Sequence, residues 1–209
     1  MKESDSLRRF VFEHAAIRGE IVHLDATWRA VLERHHYPPE VRELLGQFMA
    51  ATALLSSTLK YSGSLIVQAH GSGPITLMVA DCTSERTMRA LAHFEPDMLG
   101  GGASLTELFG DGGRLVMTVD TGQHRERYQG ITELEGDSLA DALIHYFQQS
   151  EQLQTHLWLA ADGQQATGML LQKMPGEEDP DADAWPRALQ LADTIRDNEL
   201  LNLSALEIV

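Results

Sequence analysis

Hydrophobic and polar positions in the first forty or so residues predict two strands and then a short helix. Apolar and β-branched residues gather at 7–14 and 16–24, on either side of a turn rich in small residues. Asp25 then stands where a helix N-cap is expected, ahead of a helical segment at 27–33. Pro38 and Pro39 end that helix and begin the next, because proline is tolerated only in the first turn of a helix.

The clearest helical pattern in the chain lies at 40–60. Apolar positions recur there at spacings of three and four, and alanines between them allow a neighbouring element to approach closely. The recurring positions are Val41, Leu44, Leu45, Phe48, Thr52, Leu55 and Leu59. This spacing predicts a long helix buried deep in the core.

Strand patterns dominate the next part of the chain. They occupy residues 65–69, 75–80, 87–94, 114–120, 123–132, 155–160 and 166–172. Ser104 begins the capping-box pattern of a short helix, and residues 138–141 start another helix. Since the strands arrive in runs rather than alternating regularly with helices, we predict an α+β fold, with antiparallel or mixed sheets packed with helices.

Composition changes sharply after residue 174. Residues 175–183 combine prolines, a glycine and acidic side chains, which is typical of a solvated linker. We therefore predict a core domain at 1–174 and an acidic, then helical, linker segment at 175–209. Its apolar residues need a partner surface, which makes them our candidates for docking or binding: Trp185, Leu189, Ile195, Leu200, Leu201, Leu203 and Leu206. Either this segment is a permanently docked helix pair, or it is a detachable one.

Composition and charge narrow the possible partners and location. The 209 residues are 43% hydrophobic, but no apolar run reaches the length of a membrane span and no signal sequence is evident. The formal net charge of −15 would repel nucleic acid and anionic membranes. Cys82 is the only cysteine, so the chain has no internal disulfide, and we expect a reducing, cytoplasmic setting.

Sequence signals for catalytic, phosphate-binding or metal sites are weak throughout the chain. The segment GSGP at 71–74 precedes a strand rather than a helix, so it predicts a turn and not a phosphate loop. Ser57 and Lys60 have the Ser-x-x-Lys spacing of acylating serine enzymes, but the companion motifs of those enzymes are missing. The nine histidines form no metal-binding spacing. We predict no enzyme and no metal or cofactor site in this chain, and keep a Ser57/Lys60 hydrolase or a structural adaptor dimer as alternatives.

Eight stretches, taken in order, resemble the heat-shock-protein-33 family, and together they span almost the whole chain. They are FEHAAIRGEIV (12–22), YPPEV (37–41), ATALLSSTLKY (51–61), GSGP (71–74), ERYQG (126–130), LEGDSL (134–139), YFQQSEQL (146–153) and GMLLQKMP (168–175). Each motif is weak by itself, but eight collinear motifs make a specific signal.

The resemblance implies a cytoplasmic, ATP-independent holdase that binds unfolding proteins during oxidative stress. Members of the family have an α+β core, a helical linker lying on it, and a C-terminal zinc module with four cysteines. Oxidation of those cysteines releases zinc, unfolds the module and linker, and exposes client-binding surface, and activation is accompanied by dimerisation. The resemblance therefore implies unfolded clients as partners and favours a detachable linker.

This sequence departs from the family pattern at the zinc module. It ends at Val209 with Cys82 as its one cysteine and has no counterpart of the zinc ligands. The final residues lack a helix-stop signal, so we expect an interrupted chain and place zinc and the redox switch in the complete protein.

Overall fold

The long helix predicted at 40–60 lies between two sheets. The computed structural model describes residues 5–59, 62–100, 104–121, 127–174, 181 and 183–209. Within these ranges α2 (Pro39–Thr58) contacts strands of both sheets. The buried residues of α2 surround the helix rather than forming one stripe, as expected of a helix covered on opposite sides.

Both sheets are antiparallel. One sheet has four strands, in the order β1 (Ser6–Val11), β2 (Ile17–Leu24), β9 (Ala166–Lys173) and β8 (Thr155–Ala161). The other has five, in the order β5 (Met88–Phe94), β4 (Ile75–Thr83), β3 (Ser64–His70), β6 (Arg114–Asp120) and β7 (Tyr128–Glu133). The predicted α+β class is therefore confirmed.

The remaining helices are short. They are α1 (Ala26–Leu32), α3 (Leu105–Phe109), α4 (Leu139–Tyr146), α5 (Ala184–Ala192), α6 (Asp197–Asn202) and α7 (Ala205–Ile208). A 3₁₀ turn at Pro96–Met98 and a π-helical turn at Phe147–Glu151 complete the elements of the described residues. The first strands and first helices, α1 and α2 among them, lie close to their predicted positions. The first part of the strand predicted at 123–132 lies outside the described residues. Its described part corresponds to β7.

The helix starts predicted at Ser104 and Ser138 are confirmed, and Asp25 holds its predicted N-cap position. Ser104 and Ser138 accept hydrogen bonds from the backbone N–H of the third residue of their helices. Asp25 holds the N-cap position of α1, yet its side chain makes no capping hydrogen bond. The carboxylate of Asp5 caps the helix instead, accepting from the backbone N–H groups of Asp25 at 2.7 Å and Thr27 at 3.0 Å. A residue twenty positions away cannot be identified as a cap from local spacing.

Two glycines allow close approach between elements. A Cβ atom on Gly46 of α2 would lie 2.4 Å from the Cβ of Ala161, so glycine lets the helix pack against β8. A Cβ on Gly71 would lie 2.1 Å from the carbonyl oxygen of Phe109. That carbonyl accepts hydrogen bonds from the N–H groups of Ser72 and Gly73, at 2.7 and 2.8 Å. The predicted turn at 71–74 is confirmed, and its N–H groups are engaged by protein rather than directed at an anion.

Candidate functional site

The four-stranded sheet is apolar on both of its faces. Side chains that alternate with those facing α2 point outward, away from the helix, and are almost completely buried. These outward residues are Ile17 and Ile21 of β2, Ala160 of β8, and Met169 and Leu171 of β9, each 2% exposed or less. A strand that is apolar on both faces needs a covering layer on each side. We call this outward surface the covered face.

The helices α5–α7 provide the covering layer, which we call the cover. Ala184, Ala188 and Ala192 of α5 recur every four residues and are buried against the covered face. Their small side chains let the helix axis come close to the sheet. Leu200 of α6, 2% exposed, belongs to the same apolar cluster.

Polar side chains of the sheet and of the turn between β8 and β9 reach the cover at its edges. The indole N–H of Trp158 donates to Oδ1 of Asp193 at 3.1 Å. Nε2 of His23 lies 3.1 Å from the carbonyl oxygen of Leu203, which requires the tautomer protonated at Nε2. The side-chain amide of Gln165 donates to the carbonyl of Leu201. These hydrogen bonds fix the position of the cover, while apolar side chains form the contact that it makes with the covered face.

The helices of the cover are too short to be stable alone. The helices α6 and α7 have six and four residues. Isolated helices shorter than about 12 residues are marginally stable in water, because the free-energy cost of nucleating a helix exceeds the stabilisation from a few hydrogen bonds. The cover therefore depends on the sheet for its structure, and losing contact with the sheet would unfold it.

The predicted docking residues differ in how deeply they are buried. Leu200 is buried, and Trp185, Ile195 and Leu201 are half-buried and pack against the covered face. Leu189 and Leu203 are also half-buried, and Leu203 contributes its carbonyl to His23.

Leu206 does not dock. It is 80% exposed, and Ile208 packs against the cluster in its place. The sequence patterns did not indicate the residues that the sheet contributes to the site, including Trp158 and His23. The signal that could have indicated this contribution is the segment GMLL at 168–171, which lacks polar alternation.

The alternative Ser57/Lys60 site has only one described member. Ser57 lies in the last turn of α2, and its hydroxyl contacts the carboxylate of Glu20 and the carbonyl of Leu54, the latter at 2.7 Å. Lys60 lies outside the described residues, as do residues 175–180 and 182 of the acidic linker. The serine–lysine pairing therefore stays a prediction.

Cys82 is a buried residue of β4. It is 3% exposed, and burial raises the pKa of its thiol, although a hydrogen bond with Ser56 acts in the opposite direction. A thiol with a raised pKa forms little of the reactive thiolate at neutral pH. In the described part of the chain, no three His, Cys, Asp or Glu side chains come together to hold a metal ion.

Glu20 is an ionisable group inside the core. It lies on the α2 side of β2, its side chain is 3% exposed, and its Oε1 is 3.1 Å from Nε of Arg9. Burial raises the pKa of Glu20, and the positive charges of Arg9 and Arg18 only partly oppose this. Ionisation therefore costs more in the folded chain than in the unfolded one.

Replacing Glu20 with glutamine is expected to change how stability depends on pH. The Glu20 carboxyl contributes most below its unfolded pKa, and this contribution is lost as pH rises through the raised folded pKa. The stability of the wild type relative to Glu20→Gln should therefore fall between pH 4.5 and pH 8. Urea unfolding across this range measures it, with the exposed carboxylate variant Glu43→Gln as control. A difference that does not vary with pH would contradict this assignment.

Comparison with known proteins places the chain in one family. The family described as Hsp33 protein matches residues 5–209. The 33 kDa chaperonin of Nitrosococcus oceani is 49% identical over 209 residues, which are 100% of this chain and 71% of that protein. The 33 kDa chaperonin of Methylobacillus flagellatus is 46% identical over 211 residues, with the same two coverages.

A solved structure shows the same fold. The crystal structure of a 33 kDa chaperonin from Thermotoga maritima superposes with a TM-score of 0.79. The match covers 97% of this chain and 72% of that one, at 20% sequence identity. Among the described residues, none of the helices has the length and apolarity needed to cross a bilayer. On the strength of the family match and the two relatives, the chain belongs to the Hsp33 family.

Proposed function

We propose that this chain is an ATP-independent holdase, which binds unfolding proteins on the covered face once the cover has moved away. The observation that carries the proposal is an extensively buried apolar sheet surface that, in the described part of the chain, is closed by short helices. Detaching the cover exposes residues such as Ile21, Met169 and Leu171 while α2 still packs on the opposite face of the sheet. An apolar surface of this kind binds partners without needing a catalytic group.

The family match supports a chaperone function, and relatives named 33 kDa chaperonin imply client proteins as partners and a non-enzymatic role. The finer features are part of our proposal. We place the protein in the cytoplasm, expect a homodimer in the active state, and assign redox control to zinc-binding cysteines of the complete protein. Cys82 is not a suitable switch, because it is buried and its thiol pKa is raised.

Light scattering from a heat-unfolding client, such as citrate synthase, tests the proposal. We expect this chain to suppress client aggregation equally in dithiothreitol and in hydrogen peroxide, since its one thiol is buried. The variant Cys82→Ser should behave in the same way. Failure to suppress aggregation under both redox conditions would overturn the proposal.

A further inference from the structure

An apolar cavity lies between the two sheets, beside the last turn of α2. It has a volume of about 300 Å³ and is separate from the covered face, because the side chains of the four-stranded sheet that line it point inward. Its apolar wall is formed by Leu55, Leu65, Met117, Val119, Tyr146 and Phe147. We call it the inter-sheet pocket. A cavity of this size can hold one aromatic or long aliphatic side chain.

An irregular backbone forms one wall of the inter-sheet pocket. The α-helix α4 changes into the π-helical turn Phe147–Glu151, and Gln152 then adopts a left-handed conformation with φ of 54°. A π-turn and a left-handed non-glycine residue are both costly and occur often at functional sites. Here the turn places Phe147 and Glu151 among the residues that line the pocket.

The rim offers both a hydrogen-bond acceptor and a donor. The Glu151 carboxylate accepts from the hydroxyls of Tyr128 at 3.3 Å and Tyr146 at 3.2 Å. Arg18 donates through Nε to the side-chain oxygen of Gln172 at 3.0 Å. A guanidinium carries five N–H donors, more than this one oxygen can use, and a carboxylate has about four acceptor sites. The rim can therefore accept hydrogen bonds from further donors through Glu151 and donate to further acceptors through Arg18.

We propose that the inter-sheet pocket receives one apolar side chain of an unfolded polypeptide, such as phenylalanine, leucine or methionine. The peptide groups on either side of that residue would donate to Glu151 and accept from Arg18. A peptide fits this rim better than a fatty acid does, because a free carboxylate would meet the negative charge of Glu151. Tyr128 lies on β7, the last strand of its sheet, where an extended chain can approach. This inference rests on the proposed holdase function and gives it a second contact point.

Methyl NMR with a minimal client tests the inference. N-acetyl-phenylalanine amide is titrated into this chain, and the methyl resonance of Met117 is followed, with Met169 on the covered face as reference. We expect the Met117 resonance to shift with the phenylalanine probe and to stay unchanged with N-acetyl-alanine amide. N-acetyl-phenylalanine, with its free carboxylate, should bind more weakly.

A variant with a blocked pocket entrance, paired with a control variant, tests the same inference. Leu59 lines the pocket and is 45% exposed, so Leu59→Trp should narrow the entrance and leave the core folded. We expect binding about tenfold weaker, since losing most of the burial of one phenyl group removes that much affinity. Ile131→Trp, at a 58% exposed position on the opposite face of β7, should bind like the wild type. Circular dichroism and urea unfolding check the folding of both variants.

Each result decides between the two proposals. An unshifted Met117 resonance, or unchanged binding in a folded Leu59→Trp chain, would overturn the pocket proposal even if aggregation is still suppressed. Tighter binding of the free carboxylate would overturn the peptide as occupant. Loss of aggregation suppression by the unchanged chain would instead overturn the holdase proposal.

Discussion

Replacing Leu200 with aspartate is expected to release the cover and leave the core folded. Leu200 is 2% exposed in the apolar layer between α6 and the covered face. A carboxylate there either loses its hydration or forces α6 away from the sheet, at a cost to docking of about 2 kcal/mol or more. Because α6 and α7 are too short to persist alone, we expect the whole C-terminal part of the cover to detach.

Two measurements report this release. Binding of the fluorescent dye ANS should rise severalfold as the covered face becomes accessible, and less chain should be needed to suppress client aggregation. Leu206→Asp is the matched control, because Leu206 is 80% exposed and should tolerate the charge. Unchanged dye binding and aggregation suppression in Leu200→Asp would show that the cover does not regulate access to the sheet.

Replacing Phe48 with alanine is expected to destabilise the core by about 3–5 kcal/mol, because the substitution leaves a cavity in a fully buried layer. Phe48 is 0% exposed at the middle of α2, where both sheets pack on the helix. Urea unfolding followed by far-ultraviolet circular dichroism measures the loss. Phe12→Ala, at a 37% exposed position, should cost less than about 1 kcal/mol.

The contrast between these substitutions separates the core from the cover. Phe48 and Leu200 belong to different apolar clusters, one between the sheets and one outside the four-stranded sheet. Their effects should therefore add in the double variant. A Phe48→Ala chain as stable as the wild type would mean that the layer around α2 is not the main source of stability.

The local pattern of the sequence predicts α2 and the serine caps well. Both depend on contacts within a few residues, such as the spacing of Leu44, Phe48 and Leu55, or the link between Ser138 and Asp141. The tail was correctly predicted to be helical, because its apolar residues follow the same periodicity. Its division into three short helices was not predicted, since helix ends without strong stop signals depend on packing.

Long-range pairing explains what the sequence did not reveal. The strands β2 and β9 are about 150 residues apart in the chain yet pair in register, with Ile21 opposite Met169. That pairing creates the covered face, so no local pattern in either strand defines it. The capping of α1 by Asp5 and the inter-sheet pocket likewise depend on elements brought together only by the fold.

Hydrogen exchange of the native chain, measured by mass spectrometry with and without an unfolded client, tests the central claim most directly. The claim is that the cover opens while the core stays folded. We expect amides of α5 and α6 to exchange through an opening much smaller in free energy than global unfolding, and to exchange faster when client is bound. Amides of α2 and β9 should keep their protection. Protection of α5 and α6 equal to that of α2, unchanged by client, would contradict the account.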